Sequence, residues 1–411
     1  MTKINSSPEV RFAGFTEDWE ERELSKILKE RKVMQKITKD APILAFAAGQ
    51  GVIDRSERKS NNRDHLTLDQ ENKIYKLTEL NDIVYNPSNL KYGAIDRNKH
   101  GRGVISPIYI TFTTDEQPLF IELLVKSEKF KLKALQYEEG TVVKRQSVKP
   151  ENLLSLKINI STSKDEQKKL GNFFKHLEDL ITMHKNKYDK LIVLKKALQE
   201  KLFPKSNETI PKIRFKGFGE NWKIDKLGEL SFVYDGTHQT PKYTDSGVMF
   251  LSVENIKDLK SKKYISSKAF EDEFRNYPEK GDVLMTRIGD IGTTNVVETN
   301  DRLAYYVSLA LLKKRKLDSY FLKECIESEA VKNDLWHKTL HIAFPKKINK
   351  NEIEKVLIPY PKLETEQVKI GNLFKQINKL ISLHQSEIEK LNSIKKACFE
   401  KMTSVTSKHS L

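Results

Sequence analysis

Two cysteines in 411 residues, Cys325 and Cys398, are too few and too far apart for a disulfide framework or a cysteine zinc ribbon. A reducing cytoplasm suits such a chain. Glycine (17) and proline (13) are too scarce for a fibrous or low-complexity polymer. The longest apolar stretches, residues 41–48 and 305–312, fall far short of the ~20 residues of a membrane span, so no membrane contact is expected. Residues 1–7 carry no apolar h-region, so no signal peptide is expected. Acid is the scarcer charge: 57 Asp and Glu against 73 Lys and Arg give +16. The pI is near 9.4. With 38% hydrophobic and 32% charged residues the composition is globular, and the length suits about two or three domains. The basic excess points to a polyanionic partner, foremost nucleic acid.

Catalytic signatures are equally sparse. No G-x-x-x-x-G-K-[ST] phosphate loop is present. Asn86-Pro87-Ser88 lacks the second proline and aromatic of an amino-methyltransferase motif, and no glycine-rich cofactor loop precedes it. Asp69 with Glu71-x-Lys73 is too tightly spaced for a nuclease carboxylate cluster. His337-x-x-x-His341 has helical spacing but lacks the glutamate of H-E-x-x-H. The chain is therefore expected to be non-catalytic, without a bound cofactor or metal.

What the chain does have is a repeat. Pro8-x-Val10-Arg11-Phe12-x-Gly14-Phe15-x-x-x-Trp19 recurs as Pro211-x-Ile213-Arg214-Phe215-x-Gly217-Phe218-x-x-x-Trp222. Glu166-Gln167-x-Lys169-x-Gly171-Asn172-x-Phe174-Lys175 recurs 200 residues on, from Glu366 to Lys375. Over 37 aligned positions from 166 and from 366, 17 are identical. The stretches between these matched ends share little. The pattern predicts an α+β fold with a pseudo-two-fold internal duplication: similar edges, dissimilar middles.

The matched C-terminal segments read as long helices. Leu170, Leu177, His184, Leu191 and Leu198 fall every seven residues, with Phe173, Leu180 and Leu194 at d positions. Ile370, Ile377, His384, Leu391 and Cys398, with Leu373, Leu380 and Ile394, repeat the pattern. Heptads of this length predict a coiled-coil seam between two helices, each about 55 Å long. Phe174, Ile181 and Tyr188 widen the stripe on one flank, as do Phe374, Ile381 and Ile388. Ser163 and Glu166 suggest a capping box, and Pro204 a stop. A duplicated chain favours antiparallel pairing, in which helix centres meet. His184 and His384 are then expected face to face, as a polar register lock or as ordinary half-buried histidines.

The middles read as readers of a polyanion. One basic loop carries Arg55, Arg58, Lys59 and Arg63; a second carries Lys91, Tyr92, Arg97, Lys99 and Arg102, after the strand that ends at Asn86. In the second middle, Thr237, His238, Thr240 and Lys242 lie in a turn-forming loop. Arg287 follows a short strand among glycines, with Thr293, Thr294 and Asn295 beyond, and Lys346 and Lys347 add charge. Such side chains suit phosphate and base-edge hydrogen bonds; solvated loops are the plainer alternative.

In combination, the repeated Pro-x-Val/Ile-Arg-Phe-x-Gly-Phe-x-x-x-Trp motif, the two Glu-Gln-x-Lys-x-Gly helices and Leu202-Phe203-Pro204 resemble the DNA specificity subunit of type I restriction–modification systems. Gly281-Asp282-Val283-Leu284, the loop from Gly236 to Pro241, and Asp82-Ile83-Val84-Tyr85-Asn86-Pro87 are similar to motifs of that family's target recognition domains. The resemblance implies recognition domains at 1–160 and 205–360, and repeated long helices at 163–204 and 362–403. Each domain would read one half of a split site in double-stranded DNA. The helices would set the spacing and dock two methylation subunits, and two restriction subunits would complete the complex. S-adenosylmethionine, ATP and magnesium would then sit on the partners. The competing readings are a self-sufficient DNA-modifying enzyme and a coiled-coil protein that binds DNA without sequence preference.

Overall fold

The computed structural model describes residues 6–47, 49–57, 73–140, 146–206, 208–239, 242–403 and 405–407. The fold is mixed α/β with two long helices, Lys164–Leu202 and Glu364–Thr403. They have 39 and 40 residues, or roughly 60 Å at about 1.5 Å per residue. The chain divides into two compact units, residues 1–183 with 387–411, and residues 184–386.

Ser163 starts the first long helix by accepting the Glu166 backbone N–H at 3.4 Å. The expected capping box is only half formed. The backbone N–H of Ser163 goes to Ser161 Oγ, 3.1 Å away, and the Glu166 carboxylate turns elsewhere. The heptad reading also needs correction. Positions Leu194, Leu380 and Ile394 are exposed, whereas Phe174, Ile181 and Phe374 on the flank are buried or half-buried. The sheltered stripe therefore follows 170, 174, 177 and 181, and 370, 374, 377 and 381 in the second helix. That spacing of four and three residues is the wider face of a helix packed on a globular layer.

In the first unit, a four-stranded antiparallel sheet has the order Leu28–Glu30, Ile110–Thr114, Ile83–Tyr85, Ile95–Arg97. Helices Pro118–Val125 and Glu128–Leu135 follow, then the short helix Pro150–Leu154. Strand Lys157–Ile160 pairs with Glu20–Glu23 and leads into the long helix. The apolar residues Leu170, Phe174 and Leu177 from the start of the first long helix enter this unit's core, where Met402 and Phe399 from the end of the second pack with them.

The second unit has an antiparallel sheet in the order Ser231–Asp235, Leu309–Lys314, Val283–Thr286, Thr294–Val296. Helices Ser319–Ile326, Glu329–His337 and Lys350–Glu354 follow. Strand Leu357–Tyr360 pairs with Lys223–Lys226 before the second long helix. Ile370 and Phe374 from the start of that helix share a core with Leu202 and Phe203 at the end of the first.

The remaining sheets differ. The first unit carries Gly103–Ile105, Tyr75–Thr78 and Met34–Gln35, all antiparallel, and the hairpin Leu44–Ala47 with Gly51–Asp54. The second carries Tyr243–Thr244, Tyr264–Ile265, Val248–Leu251 and Leu303–Tyr305, the last two parallel.

Candidate nucleic-acid interface

The repeated motifs meet. Arg11 donates from Nε and Nη2 to the two carboxylate oxygens of Glu166, each at 2.8 Å. Trp19 Nε1 and Ser161 Oγ donate to the same group at 3.0 and 2.5 Å. Burial pushes the Glu166 carboxyl up, but hydrogen bonds from Arg11, Ser161 and Trp19 outweigh it and hold the group below the usual carboxylate range. Arg214 binds Glu366 in the same bidentate way, at 2.6 and 2.8 Å. Trp222 Nε1, buried, has no counterpart to the Trp19 bond.

The rest of the Glu-Gln-x-Lys-x-Gly motif is explained by the same interface. Gln167 Oε1 accepts the Gln117 N–H at 3.0 Å, and Gln367 Oε1 accepts that of Asp318 at 3.0 Å, at the starts of helices Pro118–Val125 and Ser319–Ile326. Lys169 lies over the Phe15 ring at 4.8 Å and Lys369 over Phe218 at 4.9 Å. Gly171 lets the helix approach closely, since a Cβ there would meet Leu119 Cβ at 2.7 Å; at Gly371 it would meet Phe321 N at 2.8 Å. The Val10 N–H donates to Lys401 O at 3.1 Å and the Ile213 N–H to Lys201 O at 3.0 Å. Each N-terminal motif thus touches the start of one long helix and the end of the other.

His184 Nδ1 lies 3.1 Å from His384 Nδ1, with ring centroids 5.1 Å apart. One ring must donate and the other accept. Lys195 and Gln199 of the first long helix and Asn378 of the second converge on buried Glu324, at 3.2, 2.7 and 2.7 Å. Glu327 beside it would be raised by burial, but Lys323 and Lys195 hold it below its ordinary range.

The residues expected to touch nucleic acid divide by exposure. In the first unit Tyr92, Lys99 and Arg102 are exposed, and Lys91 and Arg55 half-buried. Lys99 pairs with Glu122 at 2.6 Å and Arg102 with Glu79 at 2.8 Å. Asn86 is buried and accepts the Ser88 N–H at 3.0 Å to start the 3-10 turn Pro87–Tyr92. Arg97 is buried, with Glu122 and Asn81 each at 2.8 Å. Arg58, Lys59, Arg63 and Thr240 lie outside the described residues.

In the second unit His238, Lys242, Lys346 and Lys347 are exposed. Arg287 is buried. Its guanidinium donates to Ile348 O at 3.0 Å and pairs with Asp235. It thereby fastens the Gly236–Thr237 turn to the segment holding Lys346 and Lys347, whose backbone also accepts the Gly289 N–H at Lys346 O, 2.8 Å. Thr237 donates to Glu273 at 3.3 Å. Thr293 bonds Asp290, buried Thr294 bonds Glu327 at 2.9 Å, and Asn295 reaches the carbonyls of Ile256 and Lys257 at 3.0 Å. These three serve internal partners. His337 and His341 do not share a helix face, because the helix ends at His337. His337 Nδ1 donates to Asn333 O and His341 Nε2 to Trp336 O, each separately. Among the described residues no group of three or more His, Cys, Asp or Glu is placed to hold a metal ion. Among them, no helix is long and apolar enough to cross a membrane.

Two mixed α/β units each share a core with the ends of two long helices and carry exposed cations on their loops. Residues 219–393 match the family model for the type I restriction modification DNA specificity domain. The chain is similar in fold to the S subunit of a type I restriction–modification system from M. genitalium, with 15% identity and a TM-score of 0.60 over 97% of this chain and 99% of that one. The HsdS subunit from Thermoanaerobacter tengcongensis matches at 16% identity and a TM-score of 0.40, over 94% of this chain and 96% of that one. No curated protein matches the chain.

Proposed function

We propose that this chain is the DNA-recognition subunit of a type I restriction–modification complex, and that each unit reads one half of a bipartite site. The observation that carries this reading is the pairing of two like frames with unlike second sheets. Arg11–Glu166 and Arg214–Glu366 fasten the frames by the same bidentate ion pair, while the second sheets differ in strand order and direction. Two different half-sequences call for that combination, and an internal duplication accounts for it. DNA contact falls to the exposed cations: Lys99 and Arg102 with Tyr92, and His238, Lys242, Lys346 and Lys347. Arg97 and Arg287 hold the loops that present them.

The two long helices act as an antiparallel coiled coil that sets the distance between half-sites. In support, Phe174 meets Phe399 and Glu178 pairs with Lys395 in the first unit, while Phe203 meets Phe374 in the second. The His184–His384 contact fixes the register. Exposed apolar side chains on these helices, Val193 and Leu383 among them, suit the docking of two methylation subunits. The chain itself performs no chemistry on this reading. S-adenosylmethionine, ATP and magnesium belong to the methylation and restriction subunits, and the complex works in the cytoplasm. Methylation mapping in cells that express this chain with its methylation subunit tests the proposal. A split motif with a fixed gap, absent without this chain, is expected. No new methylation with the partner bound would reject it.

A further inference from the structure

Residues 338–347 form a loop of which the recognition reading uses only Lys346 and Lys347. Its base is closed by the Leu340 N–H donating to Lys347 O at 2.8 Å, and is tied to the sheet through Gly289. Trp336 supports one side: His341 packs on its ring at 4.3 Å and Lys346 Nζ lies 4.3 Å from its centroid. From this braced base Ile342 and Phe344 project fully into solvent, at 99% and 103% relative exposure. No acidic residue occurs between Asp334 and Glu352, whereas four lysines do. Single exposed apolar residues are ordinary. Two at the tip of a braced, purely basic loop fit an occupant that offers both phosphates and an apolar stack.

We propose that this loop is a wedge that inserts Phe344, backed by Ile342, into a base step of the duplex, while Lys346 and Lys347 engage the flanking phosphates. The inference rests on the DNA-recognition reading and adds to it a local unstacking of the DNA. Aromatic or aliphatic wedges in basic surroundings unstack and kink duplexes in this way.

The test uses the full chain and duplexes it selects from a random 40-bp library, with 2-aminopurine substituted along the selected sequence. At saturation, one or two adjacent positions are expected to brighten as they unstack. Ile342→Ala with Phe344→Ala should abolish that signal and weaken binding by about ten-fold or more. Phe344→Trp should keep it. Lys346→Ala with Lys347→Ala should weaken binding but preserve the signal at saturation. No brightening with the native chain bound, or brightening unchanged in the apolar double variant, overturns the wedge while recognition stands. Loss of methylation-subunit capture with the DNA signal unchanged likewise overturns it and makes the tip a protein contact. Selection of no duplex at all overturns both readings.

Discussion

Arg11 and Glu166 stand 155 residues apart and form a bidentate ion pair at 2.8 Å, in which the carboxylate is almost wholly buried. The pair explains why two distant motifs repeat together. Arg214 and Glu366 are the same device in the other unit. Each pins an N-terminal segment to the first turns of a long helix, so neither motif can change alone.

Removing one partner leaves the other buried and unpaired. Arg11→Ala is expected to lower stability by roughly 3 kcal/mol. Urea unfolding followed by tryptophan emission would check this, because Trp19 donates to the same carboxylate. Glu166→Gln, which keeps hydrogen bonding without the charge, should cost less.

Gly171 and Gly371 present a case where helix propensity and packing disagree. Alanine favours a helix by about 1 kcal/mol over glycine. At these positions the added Cβ meets Leu119 Cβ at 2.7 Å or Phe321 N at 2.8 Å. The clash should win, giving a net loss of about 1–3 kcal/mol. Thermal melts of the two single variants decide the sign.

Acid should unfold the chain through its depressed carboxylates. Burial works against Glu122, Glu166 and Glu327, yet their cationic partners outweigh it and lower all three below ordinary values. An unfolded glutamate titrates near ~4.3. Their contribution is therefore complete at neutral pH and is lost as pH falls from about 4 toward the lower folded-state values. Asp96, raised chiefly by burial, opposes this in part. Urea midpoints between pH 6 and 3 should fall, with a shallower decline in Glu166→Gln.

Arg287 carries a different expectation from the one its sequence context suggests. Beside glycines at a strand end, it reads as a base contact; in the structure it is 5% exposed and bound to Asp235 and Ile348 O. Arg287→Ala should cost about 3 kcal/mol of stability and lower methylation yield without changing the methylated sequence. A relaxed base preference at one position would show direct reading instead.

The repeat and the long helices are legible in the sequence because identity and heptad spacing are local properties. Contact between Arg11 and Glu166 is not: both recur, but nothing in the pattern says that they touch. The seam was legible only in part. Phe174 and Ile181 shift the sheltered face because each helix packs on a sheet and helix layer as well as on another helix, which a strict heptad ignores. Among site residues, composition identified the basic loops but could not separate exposed Lys346 from buried Arg287, since charge alone carries no burial. Ile342 and Phe344 are the converse case, apolar residues that read as core and stand fully exposed.

The most direct test of the central claim lengthens the helices. Four residues inserted at matched layers of both would add about 6 Å, close to two base pairs at roughly 34 Å per turn. Methylation mapping should then return the same two half-sites with a gap longer by one or two base pairs. An unchanged gap in an active complex, or altered half-sites, would contradict the account.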